Sequence, residues 1–203
     1  MFIGRQHQIK YLREMIFTTN PEKGFSCSLR GPNGIGKTFL KNHILEQFQK
    51  ELDATANRNV FVIDVFMHSA SYYEFFLSIF REAAECLTED ILDNAPQTNR
   101  LSLDKLRQYL SIIRNINEIN AQSKDRINEL LRNFFKATSA LGFYFILIID
   151  EFDNAMELYP RETDDGQLFR TLFELSEKVG KFKRLLSVVL ISRRRVGTIA
   201  HHM

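Results

Sequence analysis

The chain alternates short, densely apolar stretches with longer segments whose apolar residues recur every three or four positions. Four stretches read as strands: Phe25 to Leu29, Val60 to Phe66 ("VFVIDVF"), Phe143 to Asp150 ("FYFILIID") and Leu185 to Ser192 ("LLSVVLIS"). The last two are continuous apolar runs, as parallel strands covered on both faces show. Helical periods lie between them. Lys37 to about Glu51 follows the first strand, and Tyr72, Phe75, Phe76, Ile79, Phe80 and Ala83 follow the second. Leu103, Leu106, Tyr109, Leu110 and Ile113 repeat the period, as do Ile127, Leu130, Leu131, Phe134 and Phe135. Each set makes one apolar helix face and is most simply core.

Strands alternating with helices predict an α/β domain with right-handed crossovers and a mainly parallel sheet. The connection from the second strand to the third, His68 to Gly142, is much longer than one crossover helix requires. Its three helical patterns, interrupted near "DNAPQTN" (residues 93 to 99), predict a helical elaboration packed on the sheet, spanning about residues 68 to 142. No repeat, low-complexity tract or Pro/Gly/Ser-rich linker divides the sequence, so residues 1 to 203 are expected to form one domain.

Composition narrows the partners. A content of 44% hydrophobic residues in 203 suffices for one substantial core. The formal charge of +2 arises from 27 Lys plus Arg against 25 Asp plus Glu, so no overall field draws the chain to nucleic acid or to an anionic membrane. Cys27 and Cys86 stand far apart without His or Cys neighbours at ligand spacing, which argues against a disulfide framework and a zinc site. The N-terminus "MFIGRQHQIK" turns polar after three residues, and no apolar run approaches the roughly 18 residues that span a bilayer. The expectation is a soluble cytoplasmic protein.

Directly after the first strand comes "RGPNGIGKT", residues 30 to 38. Gly31, Gly36, Lys37 and Thr38 fit G-x-x-x-x-G-K-[ST], between a strand and a helix as that pattern requires. A triphosphate needs several donors converging on anionic oxygens, and backbone N–H groups from about Gly34 to Thr38 can converge only where side chains do not crowd the turn. The following helix adds its positive end. Lys37 then serves as a point charge for the β- and γ-phosphates, and Thr38 as a Mg²⁺ ligand. Gly31, Pro32, Asn33, Gly34, Ile35, Gly36, Lys37, Thr38 and Phe39 are the candidate nucleotide contacts.

The third strand supplies the reaction chemistry. It ends in Asp150 and Glu151, and the carboxyl ends of parallel strands open on the sheet edge that carries the glycine turn. Asp150 there is a candidate Mg²⁺ ligand, with Thr38; Glu151, one residue on, is the candidate base that polarises water against the γ-phosphate. Asp153 is expected to cap a helix rather than bind a ligand.

With these motifs the chain resembles the P-loop ATPases of the additional-strand class, and within it the AAA+ and STAND branches. "FIGRQHQIKYL" (2 to 12) resembles the short box before the phosphate loop in initiator-like and STAND ATPases; "GPNGIGKT" resembles Walker A, "FILIIDEFD" Walker B, and "VVLISRRR" the sensor 1 strand. The resemblance spans residues 2 to 195 and implies a P-loop NTPase three-layer sandwich that binds ATP with Mg²⁺. It implies that Phe2 and Ile3 line the adenine side, that Gly4 and Arg5 complete the box, and that Ser192 and Arg193 sense the γ-phosphate. Phe2 and Ile3 equally suit core packing, and Arg193 to Arg195 equally suit a solvated basic turn. His68 and Ser69 stand where the family places a polar residue against the glutamate, but that role is not expected of them. After Ser192 only residues 193 to 203 remain, too few for the fifth strand, the helical lid and the second sensor arginine of the family, so a fragment or a minimal version is expected.

The leading expectation is a slow ATPase acting as a nucleotide-dependent switch in a larger protein, with ATP and ADP as ligands and downstream domains or further copies as partners. The runner-up is a nucleotide-dependent binding module with vestigial hydrolysis. A small-molecule kinase ranks last, because no acceptor pocket or arginine-bearing lid is readable. DNA association has only the cluster Lys181, Lys183, Arg184, Arg193, Arg194 and Arg195 to draw on. The Asn-Lys-x-Asp signature of guanine readers is missing, and adenine rests on the resemblance.

Overall fold

The computed structural model describes residues 6–15, 26–55, 59–67, 72–95, 99–115, 124–154, 171–172, 175–176 and 185–194. Its strands are β1 (Cys27–Arg30), β2 (Val60–Phe66), β3 (Tyr144–Asp150) and β4 (Leu186–Ser192), and all pairings are parallel, in the order β1-β4-β3-β2. Each strand falls within a residue of its apolar run, except that β1 starts two residues later and takes in Arg30. The helices are α1 (Gln6–Met15), α2 (Lys37–Ala54), α3 (Tyr72–Glu85), α4 (Glu89–Asp93), α5 (Arg100–Asn115) and α6 (Lys124–Ala140).

Among the described residues, the connection between β2 and β3 thus holds four α-helices where the apolar period shows three. The short α4 escapes periodicity because five residues make little more than one turn. Thr88 caps it, accepting from the Ile91 N–H. Helix α1 was not separable from the N-terminal box by sequence; Ile9 and Leu12 on one of its faces are buried against the α2 side of the sheet.

Alternation along the strands sorts the core into two layers. In β3, Tyr144, Ile146 and Ile148 face α1 and α2 with Leu40, Ile44, Phe48 and Leu52. Phe143 just before the strand, then Phe145, Leu147 and Ile149, face α3, α5 and α6 with Phe75, Phe80, Leu106, Phe134 and Phe135. All seven β3 residues are buried, as the unbroken apolar run requires. Parallel pairing brings the strands' carboxyl ends to one edge, where Arg30 is level with Ser192, and Phe66 with Asp150. That edge carries the site.

Candidate nucleotide-binding site

Between β1 and α2 the chain turns through the glycine loop. Gly34 and Gly36 have φ of 76° and 84°, a left-handed backbone that glycine adopts without a Cβ clash. Gly31 is constrained differently: a Cβ there would stand 3.0 Å from Ile35 Cγ2, and its N–H donates to the Ser192 carbonyl at 3.2 Å, tying the loop to the end of β4. Gly36 is the N-cap of α2, and no side chain caps the new helix, so its positive end faces the cleft.

The cleft has a volume of about 470 Å³. Asn33, Gly34, Gly36, Lys37, Thr38 and Phe39 line it from the loop and first helical turn. Asp150, Glu151, Asp153 and Asn154 line it from the end of β3, and Ile191, Ser192 and Arg193 from the end of β4. Gly31, Pro32 and Ile35 complete the loop without lining the cleft. Phe2, Ile3, Gly4 and Arg5 lie outside the described residues, as do His68, Ser69, Lys181, Lys183, Arg184 and Arg195.

The Lys37 ammonium donates to the carbonyls of Gly31 at 2.6 Å and Pro32 at 3.1 Å, so its stem folds over the loop. The Thr38 hydroxyl donates to Asp150 Oδ2 at 3.0 Å across 112 residues of sequence. Asp150 is only 2% exposed, and its other oxygen accepts the Glu151 N–H at 2.9 Å. A hydroxyl and a carboxylate converging in this cleft are the hard oxygen donors that Mg²⁺ takes alongside substrate phosphates, so the residues fit that ion. No cluster of three or more His, Cys, Asp or Glu suited to a metal occurs among the described residues, which leaves no competing all-protein cage.

Glu151 is exposed and has φ of 54°, a left-handed conformation that no other non-glycine described residue shares. Asn154 holds it. In the short 3₁₀ turn Phe152–Asn154, the Asn154 N–H donates to the Glu151 carbonyl at 2.9 Å, and its side-chain amide donates both to Glu151 Oε2 at 3.2 Å and to the Met67 carbonyl at 3.1 Å. The amide therefore ties the glutamate to the end of β2. Asn154 was missed because its offset of three from Glu151 acquires meaning only in that tight turn.

The expected helix cap at Asp153 is corrected. Its buried carboxylate accepts the backbone N–H groups of Arg193 and Arg194 and lies 3.6 Å from the Arg193 Nε, so it secures the turn after β4. Ser192 is buried and its hydroxyl donates to the Arg194 carbonyl at 2.6 Å. Phosphate oxygens only accept, so a Ser192 contact to phosphate requires that hydroxyl to rotate.

The family profile described as "AAA ATPase domain" matches residues 1–189. The chain belongs to that family. This AAA ATPase domain is a nucleotide-dependent ATPase module. In fold it is similar to the Aeropyrum pernix ORC1 protein, solved in complex with DNA, at 15% identity and a TM-score of 0.53 over 98% of this chain. The chain spans 41% of that protein's length. No curated protein matches it. Among the described residues, no helix of this AAA ATPase domain is long and apolar enough to cross a membrane.

Proposed function

We propose that the chain binds ATP with Mg²⁺, hydrolyses it slowly, and acts as a nucleotide-dependent switch within a longer AAA+ or STAND-like protein. The observation that carries this reading is the contact of Thr38 with Asp150 at 3.0 Å beside Glu151, which brings the loop and the third strand to one point. Thr38 and Asp150 would hold Mg²⁺, which would supply positive charge against the phosphates. Gly34 to Thr38 offer backbone donors to the phosphates, and Lys37 exchanges its carbonyl partners for phosphate oxygens. Glu151, kept in place by Asn154, accepts a proton from the attacking water.

Slow turnover follows from the arginines. Among the described residues the arginine lining the cleft is Arg193, which sits against Asp153, and want of an arginine at the γ-phosphate lowers such rates by roughly 10³ to 10⁵. The tether from Asn154 to Met67 supports the switch, since movement at the end of β2 is passed to Glu151. A second reading, a DNA-associated scaffold with vestigial hydrolysis, draws on the exposed Arg193 and Arg194 and on the DNA complex of the ORC1 neighbour.

The test is nucleotide binding and steady-state turnover. Lys37→Ala is expected to weaken binding of ATP by about a hundredfold, from the loss of charge-assisted contacts to phosphate, while the melting temperature stays unchanged. Equal ATP affinity of variant and parent in calorimetry overturns the assignment. Turnover of about 1 s⁻¹ or more from the monomeric chain is ordinary enzyme behaviour and would remove the slow-switch reading. Binding without any turnover favours the scaffold.

A further inference from the structure

The chemistry above gives no role to Lys41, a lysine that is only 4% exposed. It lies in α2 one turn beyond the loop, with its ammonium between two carboxylates. Asp64 grips it with both oxygens, at 2.9 and 2.6 Å. Asp150 Oδ2, the oxygen that accepts the Thr38 hydroxyl, is 3.7 Å away. The Phe66 ring lies with its centre 5.2 Å from the ammonium. Asp64 itself interrupts the apolar run of β2, where Val60 and Val62 pack on the same α2 side of the sheet. Asp64 keeps access to solvent there, whereas the Lys41 ammonium is buried and needs a compensating carboxylate.

A lysine is a compact charge on a rotatable stem, so its ammonium can pair with whichever carboxylate holds it better. Asp150 has two suitors, this ammonium and a divalent cation, and an ammonium seated on Oδ2 would offset the charge that attracts the metal. We infer that Asp64 is a positioning residue for the metal site: its two-oxygen grip draws the Lys41 ammonium off Asp150 and leaves that carboxylate to Mg²⁺. The inference rests on the ATPase reading above and adds to it the device that sets the affinity for metal. A purely mechanical role for the pair, clamping α2 to β2, makes a different prediction.

The experiment titrates MgCl₂ into the full chain with fluorescent mant-ATP and records the Mg²⁺ concentration at half-maximal binding. In Asp64→Asn the freed ammonium moves onto Asp150, and that concentration is expected to rise about tenfold, the scale of one competing charge in partly screened surroundings. Adding Lys41→Met to Asp64→Asn removes the competitor and returns the value to within about threefold of the parent, a rescue that a lost clamp cannot produce. Lys41→Met alone leaves Asp64 and Asp150 unopposed and lowers the value. An Asp64→Asn variant that titrates like the parent, or a double variant that stays weak, overturns the inference. Should Asp64→Asn fail to fold by circular dichroism, Lys41→Met decides, because a higher Mg²⁺ requirement in it contradicts the competition. A parent chain that binds mant-ATP at no Mg²⁺ concentration overturns the ATPase reading, and this inference with it; binding by the parent with no shift in the variants overturns the inference alone.

Discussion

The side of the sheet covered by α3, α5 and α6 is lined with aromatic rings, whereas the side covered by α1 and α2 is mostly aliphatic and gives way at the strand ends to hydroxyl and charged groups. On the first, Phe134 meets Phe80 at 4.9 Å and Phe135 at 5.3 Å between ring centres, and Phe135 meets Phe145 at 5.3 Å. On the second, Tyr144 and Ser187 share a buried hydroxyl pair at 2.6 Å, and Thr38, Asp150, Lys41 and Asp64 form a polar line through the core edge. Edge-to-face rings lock geometry and leave no unpaired polar atom, which suits a layer that only has to be rigid. Polar groups beneath a ligand site must be fully partnered, and the α2 side partners them through contacts far apart in sequence.

If the two sides divide stability from chemistry in this way, the variants separate. The largest expected effect is in Glu151→Gln: turnover falls by about 10² to 10⁴, the usual worth of a positioned base, while Mg²⁺-ATP affinity is kept. Its side chain is exposed, so unfolding free energy should shift by less than about 0.5 kcal/mol. Turnover equal to the parent's would place the base elsewhere. Next comes Phe134→Ala on the other side. Phe134 is fully buried, and urea unfolding should show a loss of about 3 to 5 kcal/mol. The fraction still folded should bind mant-ATP with unchanged affinity; a weaker site in that fraction would mean the two layers are coupled, and the comparison would break.

The smallest effect samples one thiol from each side. Burial pushes Cys27, beside the aliphatic layer, up from 9.0 to about 11. Burial does the same for Cys86 beside the aromatic layer, to about 11, with Glu82 and Glu85 adding to it. Since the thiolate is the nucleophile, maleimide labelling of both near pH 7.5 should run about 10²-fold slower than for an ordinary thiol, and the difference should vanish in urea. The folded state keeps each proton longer than the unfolded state, so both sites lower stability as pH climbs from 9.0 toward 11. Fast labelling of one thiol alone would show that its layer opens locally.

Much of this was legible in advance because the signals are local. The runs at β3 and β4 are too apolar and too short for anything but covered strands, and the loop's three glycines, lysine and threonine declare their chemistry within eight residues. What sequence hid is non-local. Asp153 looked like a helix cap because caps are read from neighbours, while its partners are the amides 40 and 41 residues on. Lys41 sits beside the apolar stripe of α2 and reads as surface; its pairing with Asp64, an acid amid "VFVIDVF", spans 23 residues and emerges only in the fold. Asn154 needed the turn after β3 before its amide could be placed against Glu151.

The strand order also sets a timetable. The cradle is closed by β4, whose Val188 amide bonds Ser26 across 162 residues, and whose last carbonyl receives the Gly31 amide. Closing loops of that length is entropically slow, and chains emerge from the ribosome at only about 5 to 20 residues per second. While the aromatic layer can begin to gather once α3, α5 and α6 exist, a nascent chain holds no complete phosphate cradle until residue 192 has been made. On the proposed reading, a ribosome-bound chain stopped short of β4 would offer ATP only the unbuttressed glycine loop.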